Sequence, residues 1–356
     1  MINKSKTAKI AKKTAGLLTA FLLAAIGVAP PAGAVAFNSQ AVGTTGADFL
    51  NLGVGGRAMG MGGAYTAVAE NASAIYWNPA GLVQINRMSA TFMQASYLAD
   101  INYQYAAYAH RLNTYSVLAC SIMMTDLGKI KKTDVEGTYS GETFTPRDQV
   151  FALAYSRGIQ ELSDRDLDIS MGITAKYYTT RIVEQAAGVA FDLGVMGYYF
   201  SSIPYRLAFM LQNLGTGPKF DQERSPLPTS FKLGGSISPF PELLVSADVM
   251  VPRGNSPYGM IGAEYNMKPY DKTRLGLRAG VNTQQLGITG GTSGISMGIG
   301  LGMQFFNLDY AYVPMGELGS THRFSLSFDF PLWTPVFQRR DRSIFNEVEQ
   351  IASFDD

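Results

Sequence analysis

Cysteine is almost absent from this chain. Cys120 stands alone, so no intramolecular disulfide can form, even in an oxidising compartment. Its neighbours Leu118 and Ile122 predict a small, buried apolar residue within a strand. Histidine is nearly as scarce: His110 and His322 lie far apart in sequence, each at a predicted strand end beside an arginine (Arg111, Arg323), where interfacial hydrogen bonding is the ordinary role. That leaves no usual zinc ligand set and no serine, histidine and acid combination, so no catalytic residue, metal or cofactor is assigned. Charge is sparse as well, at 16% of residues, against about a quarter in soluble domains. Beyond residue 36 no apolar run approaches the roughly 18 residues of a membrane helix. There is no basic excess that would suit nucleic acid.

A chain this poor in charge, with 46% hydrophobic residues and no membrane helix, points to strands that cross a bilayer. The final one shows the pattern. In His322–Phe330, Phe324, Leu326, Phe328 and Phe330 project to one face, and Arg323, Ser325, Ser327 and Asp329 to the other. Similar alternation recurs along most of the chain, giving about fourteen segments from Arg87–Leu98 to Thr321–Phe330, an even number as in single-chain bacterial barrels. In the segment around Gly294–Phe305, Ile295, Met297, Ile299, Leu301 and Met303 oppose Ser296, Gly298, Gly300 and Gly302. The apolar set is assigned to lipid and the small or charged set to the lumen. The fold class is therefore all-β, a transmembrane antiparallel β-barrel, in preference to a soluble sandwich that would bury the same apolar face. The inward glycines leave room for a plug or for passage. Asp168, Lys176, Glu264, Arg274 and Arg278 are candidate lumen charges that pair with one another or anchor such a plug.

Connections differ in length. Asn113-Thr114, Ser202–Pro204 and Pro239–Pro241 are tight, whereas Asp126–Arg147, Gly215–Pro228 and the stretch around Asn282–Gly291 are long and polar. Short periplasmic turns and longer outer loops are the expected polarity. The largest loop, Asp126–Arg147, reads as a solvated surface loop.

The ends read differently. Lys4, Lys6, Lys9, Lys12 and Lys13 precede an apolar stretch over about 15–29 and two small-x-small sites, Ala32-Gly33-Ala34 and Ala34-Val35-Ala36, so residues 1–36 are expected to be a signal peptide rather than a retained anchor. Without those five lysines, 24 basic residues face 28 acidic ones, a balance of −4. Residues 37–86 are not strand-like. They hold a glycine-rich run from Gly53 to Gly63, an alanine-rich stretch, Ala67–Tyr76, with room for a helical turn or two, and then Trp77-Asn78-Pro79-Ala80-Gly81-Leu82. Proline ends any helix there and Asn78 is suited to close a local turn. The nominal dinucleotide pattern Gly53-x-Gly55-x-x-Ala58 lacks a leading strand and a following βαβ unit and is set aside. Composition leaves open whether 37–86 forms a plug in the lumen or a periplasmic turn into the first strand. After the barrel, expected over 87–331, residues 332–356 form a tail on the periplasmic side. Arg339 to Ile351 there suits a small amphipathic helix or a disordered terminus.

Several segments resemble the PorV/PorQ family of outer-membrane proteins: Gly53–Gly63 with Ala64-Tyr65-Thr66-Ala67-Val68-Ala69, then Trp77–Leu82, Leu211-Gln212-Asn213-Leu214-Gly215, and Asp309–Pro314 with Leu318–Ser325. That family is similar to the FadL-type barrels. The resemblance implies a fourteen-stranded barrel with an N-terminal hatch folded inside, its motif being Gly60, Gly62, Gly63, Asn78, Pro79 and Ala80. It also implies a place in the outer membrane of a Gram-negative-type bacterium, in contact with its lipid. The expected role is a non-enzymatic secretion accessory of type IX kind that binds protein cargo or a translocon. The alternative is a FadL-like passive channel for hydrophobic small molecules. The chain departs from a common barrel ending in carrying Phe330 well inside its C-terminus.

Overall fold

The computed structural model describes residues 37, 41–97, 101–134, 136–159, 162–163, 167–201, 203–220, 223–270, 272–286 and 293–330. The leader expected over 1–36 and the tail expected over 332–356 lie outside them. Among the described residues no helix is long and apolar enough to cross a membrane.

Fourteen strands close into one barrel. They are β1 Met88–Ser96, β2 Asn102–Arg111, β3 Ser116–Asp126, β4 Arg147–Gly158, β5 Leu167–Arg181, β6 Gln185–Tyr199 and β7 Tyr205–Gly215. They continue as β8 Ser230–Phe240, β9 Leu243–Pro252, β10 Tyr258–Tyr270, β11 Thr273–Asn282, β12 Ile295–Met303, β13 Phe306–Pro314 and β14 Ser320–Phe330. Every neighbour pair is antiparallel and sequential, and β1 closes the ring by pairing with β14 from Met88↔Phe330 to Ser96↔His322. Closure leaves no free edge to recruit another strand.

The faces are those the alternation predicts. Ile295, Met297, Ile299, Leu277, Leu233, Val249 and Phe324 are exposed, while Ser296, Lys176, Thr174, Arg278 and Ser325 are buried. An outer wall of exposed apolar side chains is the arrangement of a transmembrane barrel; the interior is polar at these positions but apolar along β1 to β4, where Met93, Tyr103, Tyr105, Val117, Met123 and Val150 share one buried cluster with Val54, Tyr65 and Trp77. The three tight connections fall at one end of the barrel and the three long ones at the other. In the tight turn after β2, the Asn113 carboxamide accepts from the backbone N–H groups of Tyr115 and Ser116, both at 3.0 Å. This is the local closure for which asparagine is favoured.

Two expectations need correcting. Cys120 is exposed: it shares the outward face of β3 with Leu118, so its apolar company is lipid, not a protein core. The Asp126–Arg147 connection is not plain loop. Ile130–Thr133 and Tyr139–Phe144 pair as a two-stranded ribbon, held by the Lys132–Glu142 ion pair at 3.0 Å and by Lys131 over the Tyr139 ring. A basic run, Lys129 to Lys132, followed by the acids Asp134, Glu136 and Glu142 can bring opposite charges together when the segment folds back, a signal that a reading of loop polarity overlooks.

Candidate functional site

The interior chemistry of the barrel is built from the glycines up. Ser236, Ser246, Gly262, Gly280 and Ser296 are direct cross-strand partners on successive strands from β8 to β12, and together form a shallow row of small side chains. The backbone of residues 60–67 lies along it. The Ser246 hydroxyl donates to Ala64 O at 2.7 Å, with longer bonds from Ser296 to Gly60 O and from Ser236 to Ala67 O. At Gly280 any Cβ would collide with Gly62 N, and at Gly262 it would come within 2.8 Å of Met61 Cβ. Gly60 meets Gly298 with their backbones touching, while Gly62 and Gly63 turn the chain with φ of +69° and +80°. Only glycine supplies both properties cheaply.

A second row, Ser156–Gly172–Gly194 across β4, β5 and β6, receives Asn78, Pro79 and Ala80. Pro79 lies against Gly172 and the Asn78 side chain against Gly194, each where a Cβ would stand. Ser170 donates to Ala80 O at 3.0 Å and Ser156 at 3.3 Å. Asn78 is buried and does three things at once. Its Oδ1 accepts from Ala80 N–H at 3.1 Å, capping a 3-10 turn over Pro79–Gln84. Its Nδ2 reaches Thr66 O at 3.1 Å and Val195 O at 3.5 Å. The alanine-rich stretch before it forms a single helical turn, Ala74–Trp77, shorter than its composition allows. The backbone of 64–80 divides its hydrogen bonds between local turns, such as Ala69 N–H to Tyr65 O, and the barrel wall, as where Ser89 accepts from Ala72 N–H and Thr174 donates to Ile75 O. At the exit into β1, the Arg111 guanidinium gathers carbonyls from Ile85, Asn86 and Thr114.

Between Ala41 and Asn86 the only charged residues other than Asp48 are Arg57 and Glu70, and both join the wall. Arg57 bridges Glu70 and Glu264, each at 2.7 Å. Glu264 continues to Arg278 at 3.1 Å, and Arg278 to Asp309 at 2.7 Å. Arg206 approaches Glu70 from β7 at 3.1 Å. Burial works against the Arg57 charge, but Glu264, Tyr65 and Glu70 more than offset it, so its pKa lies above the ordinary value. Burial likewise pushes the Glu70 carboxyl up, but Arg57 and Arg206 outweigh it and hold it below the usual carboxylate range.

Of the lumen charges expected from sequence, Glu264 and Arg278 stand in this cluster. Lys176 forms a separate pair with Asp192 at 2.6 Å and donates to Asn213 at 2.8 Å. Asn213 occupies a bulge with φ +60°, and its side chain meets Asn51 Oδ1 at 3.1 Å. Arg274 sits apart, bonded to Asn307 at 3.2 Å. Asp168 stands half-buried near the start of β5.

Sequence reasoning passed over other interior residues. Asp248 accepts the backbone N–H groups of Tyr65 and Thr66 at 3.0 and 2.8 Å. Lys232 faces the rings of Trp77 and Tyr76 at 5.4 and 5.8 Å. Arg323 lies against Tyr97 and Tyr103 and donates to Gly53 O. All sit at inward positions of their strands: the alternation of the last strand already placed Arg323 there without naming a partner, and extending it to every strand would have found Asp248 and Lys232. Among the described residues no cluster of three or more histidine, cysteine or acidic side chains is placed to hold a metal.

Known proteins share this architecture. The Ralstonia pickettii toluene transporter TbuX is 14% identical, with 78% of this chain and 98% of that one covered and a TM-score of 0.52. The Pseudomonas putida toluene transporter TodX is 12% identical over the same shares, at a TM-score of 0.49. A Pseudomonas aeruginosa FadL homologue is 10% identical, again covering 78% and 98%, at 0.48. At such identities the likeness concerns the fold. No curated protein matches in sequence. The profile of the family described as "Type IX secretion system protein PorV" matches residues 35–243, more than half of the chain, including the whole row on β4–β6 and, of the row on β8–β12, Ser236. With that match over more than half of the chain, and a closed fourteen-stranded barrel, the chain belongs to the PorV family.

Proposed function

We propose that this protein is a non-enzymatic barrel of the bacterial outer membrane, that residues 37–86 act as a hatch filling its lumen, and that it serves protein secretion by binding cargo or a translocon. The carrying observation is the seating of residues 60–67 and 78–80 on glycine and serine rows of the wall. A lumen filled by the chain's own backbone favours a docking role over free passage, and membership of a family named for type IX secretion agrees with it. The two histidines support the non-enzymatic reading. They stand near opposite ends of the wall, each hydrogen-bonded to a tyrosine, at 3.1 Å for Tyr108–His110 and 2.8 Å for Tyr310–His322. The long-loop end would face outward and the end bearing Phe330 the periplasm. A second reading, a FadL-like passive channel for hydrophobic molecules, draws on the shared fold with the toluene transporter TbuX.

Crosslinking in intact outer membranes, mild detergent extraction and mass spectrometry of what accompanies the protein would separate the two. Recovery of a large second barrel or of exported precursors is the expected result. Recovery of the barrel alone, loaded with apolar small molecules, would sink the secretion role and favour the channel.

A further inference from the structure

On the outer face of β14, β1, β2 and β3, the cross-strand partners stack in level rows. The uppermost, His322–Ser96–Asn102–Asp126, is polar. Below it runs Phe324–Gln94–Gln104–Met124, and below that Leu326–Phe92–Ala106–Ile122, which is wholly apolar. The boundary between polar and apolar surface therefore passes through the two glutamines, near the long-loop end of the barrel. A transmembrane barrel has its interfacial level where this change occurs.

A cleft of about 390 Å³ opens at that boundary, within the roughly 300–1,000 Å³ of clefts that hold ligands. Its cause is visible in the lowest of these rows. Ala106 stands between Phe92 and Ile122, and its methyl leaves a depression where larger neighbours rise on each side. Phe92, Ile122, Leu308, Phe324 and Leu326 form the sides, Tyr105 and Met93 contribute to the floor, and Gln94 and Gln104 close the upper end. The wall is so lined that an occupant meets hydrocarbon along its length and two neutral carboxamides at its head, with no cation to select a phosphate.

We propose that this cleft binds one ester-linked acyl chain of the membrane lipid packed against the long-loop end of the barrel. The chain lies over Ala106, and Gln94 and Gln104 donate to the ester carbonyls at the chain's head. The location argues for this occupant, since the cleft opens on the surface that faces lipid, at the depth where chains join their esters. This site is separate from the lumen and does not rest on the secretion reading.

The test reconstitutes the full chain in phosphatidylethanolamine and phosphatidylglycerol vesicles doped with a phosphatidylcholine whose acyl chain carries a diazirine. Irradiation, digestion and mass spectrometry then map the label. The peptides of β1 and β2 should be labelled several-fold more than the equally apolar outer faces of β8 and β9 (Leu233, Ile237, Val249). Ala106→Phe, which fills the depression from the lipid side, should bring them down to that level. Ala106→Leu serves if the larger variant fails to assemble. Even labelling around the belt, or an excess that survives both substitutions, would overturn the proposal. In native membranes, a crosslink from this face to a second protein chain in place of lipid would also overturn it.

Discussion

Gly280→Val tests the seating of the N-terminal segment most directly. A Cβ at residue 280 falls on backbone atoms of Met61 and Gly62, not on the far end of a flexible side chain. Overpacking costs about 1–3 kcal/mol even where neighbours can yield. Displacing the backbone here also breaks the Ser246–Ala64 and Ser296–Gly60 hydrogen bonds, at about 1 kcal/mol each. The sum, about 3–5 kcal/mol, raises the unseated population by roughly two to three and a half powers of ten, since 1.4 kcal/mol is a factor of ten. Between Ala41 and Asn86 trypsin has one site, Arg57, which is largely buried in the ion cluster. When opening is fast relative to cleavage, the cutting rate follows the open population. The rate at Arg57, read by mass spectrometry of the released N-terminal fragment, should rise by about the same factor. Gly235→Ala, where a Cβ makes only ordinary contacts, to a Leu207 methyl at 3.6 Å and to Arg206 O at 3.8 Å, should leave it unchanged. Wild-type protection at Arg57 in Gly280→Val, in a barrel that still closes, would refute the reasoning.

Three further outcomes are expected. Glu264→Gln removes the shared partner of Arg57 and Arg278, but each keeps a carboxylate at 2.7 Å; the loss should fall near the low end of the roughly 3–5 kcal/mol for breaking a buried pair, and an unchanged guanidinium midpoint would contradict it. Because Arg57 and Arg206 hold the Glu70 pKa below its ordinary 4.5, its contribution is complete above that value and is lost as pH falls through the lower, folded one. Pepsin cleavage within 57–70 should therefore rise on acidification, and a profile identical in Glu70→Gln would remove Glu70 as the cause. Cys120, outward on β3, should react with a lipid-soluble maleimide in vesicles and resist a charged, water-soluble one; the reverse order would place it off the lipid face.

Much of the wall was legible because one physical rule, the two-residue period of a strand between lipid and lumen, acts on every segment and repeats. Ile295–Met303 or Phe324–Phe330 need no neighbours to declare their faces. The interior was less legible because its partners are set by closure, which no local pattern encodes. Glu264 and Arg278 are direct cross-strand partners, so inward parity and a hairpin register reach them. Arg57 and Glu264 lie 207 residues apart, and nothing in either neighbourhood names the other. Asn213 illustrates an intermediate case: its motif is visible, but its reason, a left-handed bulge that aims one carboxamide at Lys176 and Asn51, requires the strands on both sides. Cys120 was misjudged for a simpler reason, since its parity was read correctly and the outside taken for a core.

The small-residue rows carry a consequence for assembly. Residues 60–67 are synthesised before any strand, yet the surface that receives them is assembled from β8 to β12, and Gly56 N–H bonds to Ser325, 269 residues later. Contacts this distant in sequence form late, because the intervening chain must first be gathered. The earliest part of the polypeptide must therefore wait for β12 before Gly60 O finds Ser296, and for β14 before Gly56 N–H finds Ser325. Its seating is complete only in a finished cylinder: a barrel missing its final hairpin would lack Asp309 and Ser325, the two residues that Gly56 rests on, and the chain just before Arg57 would be left unpinned.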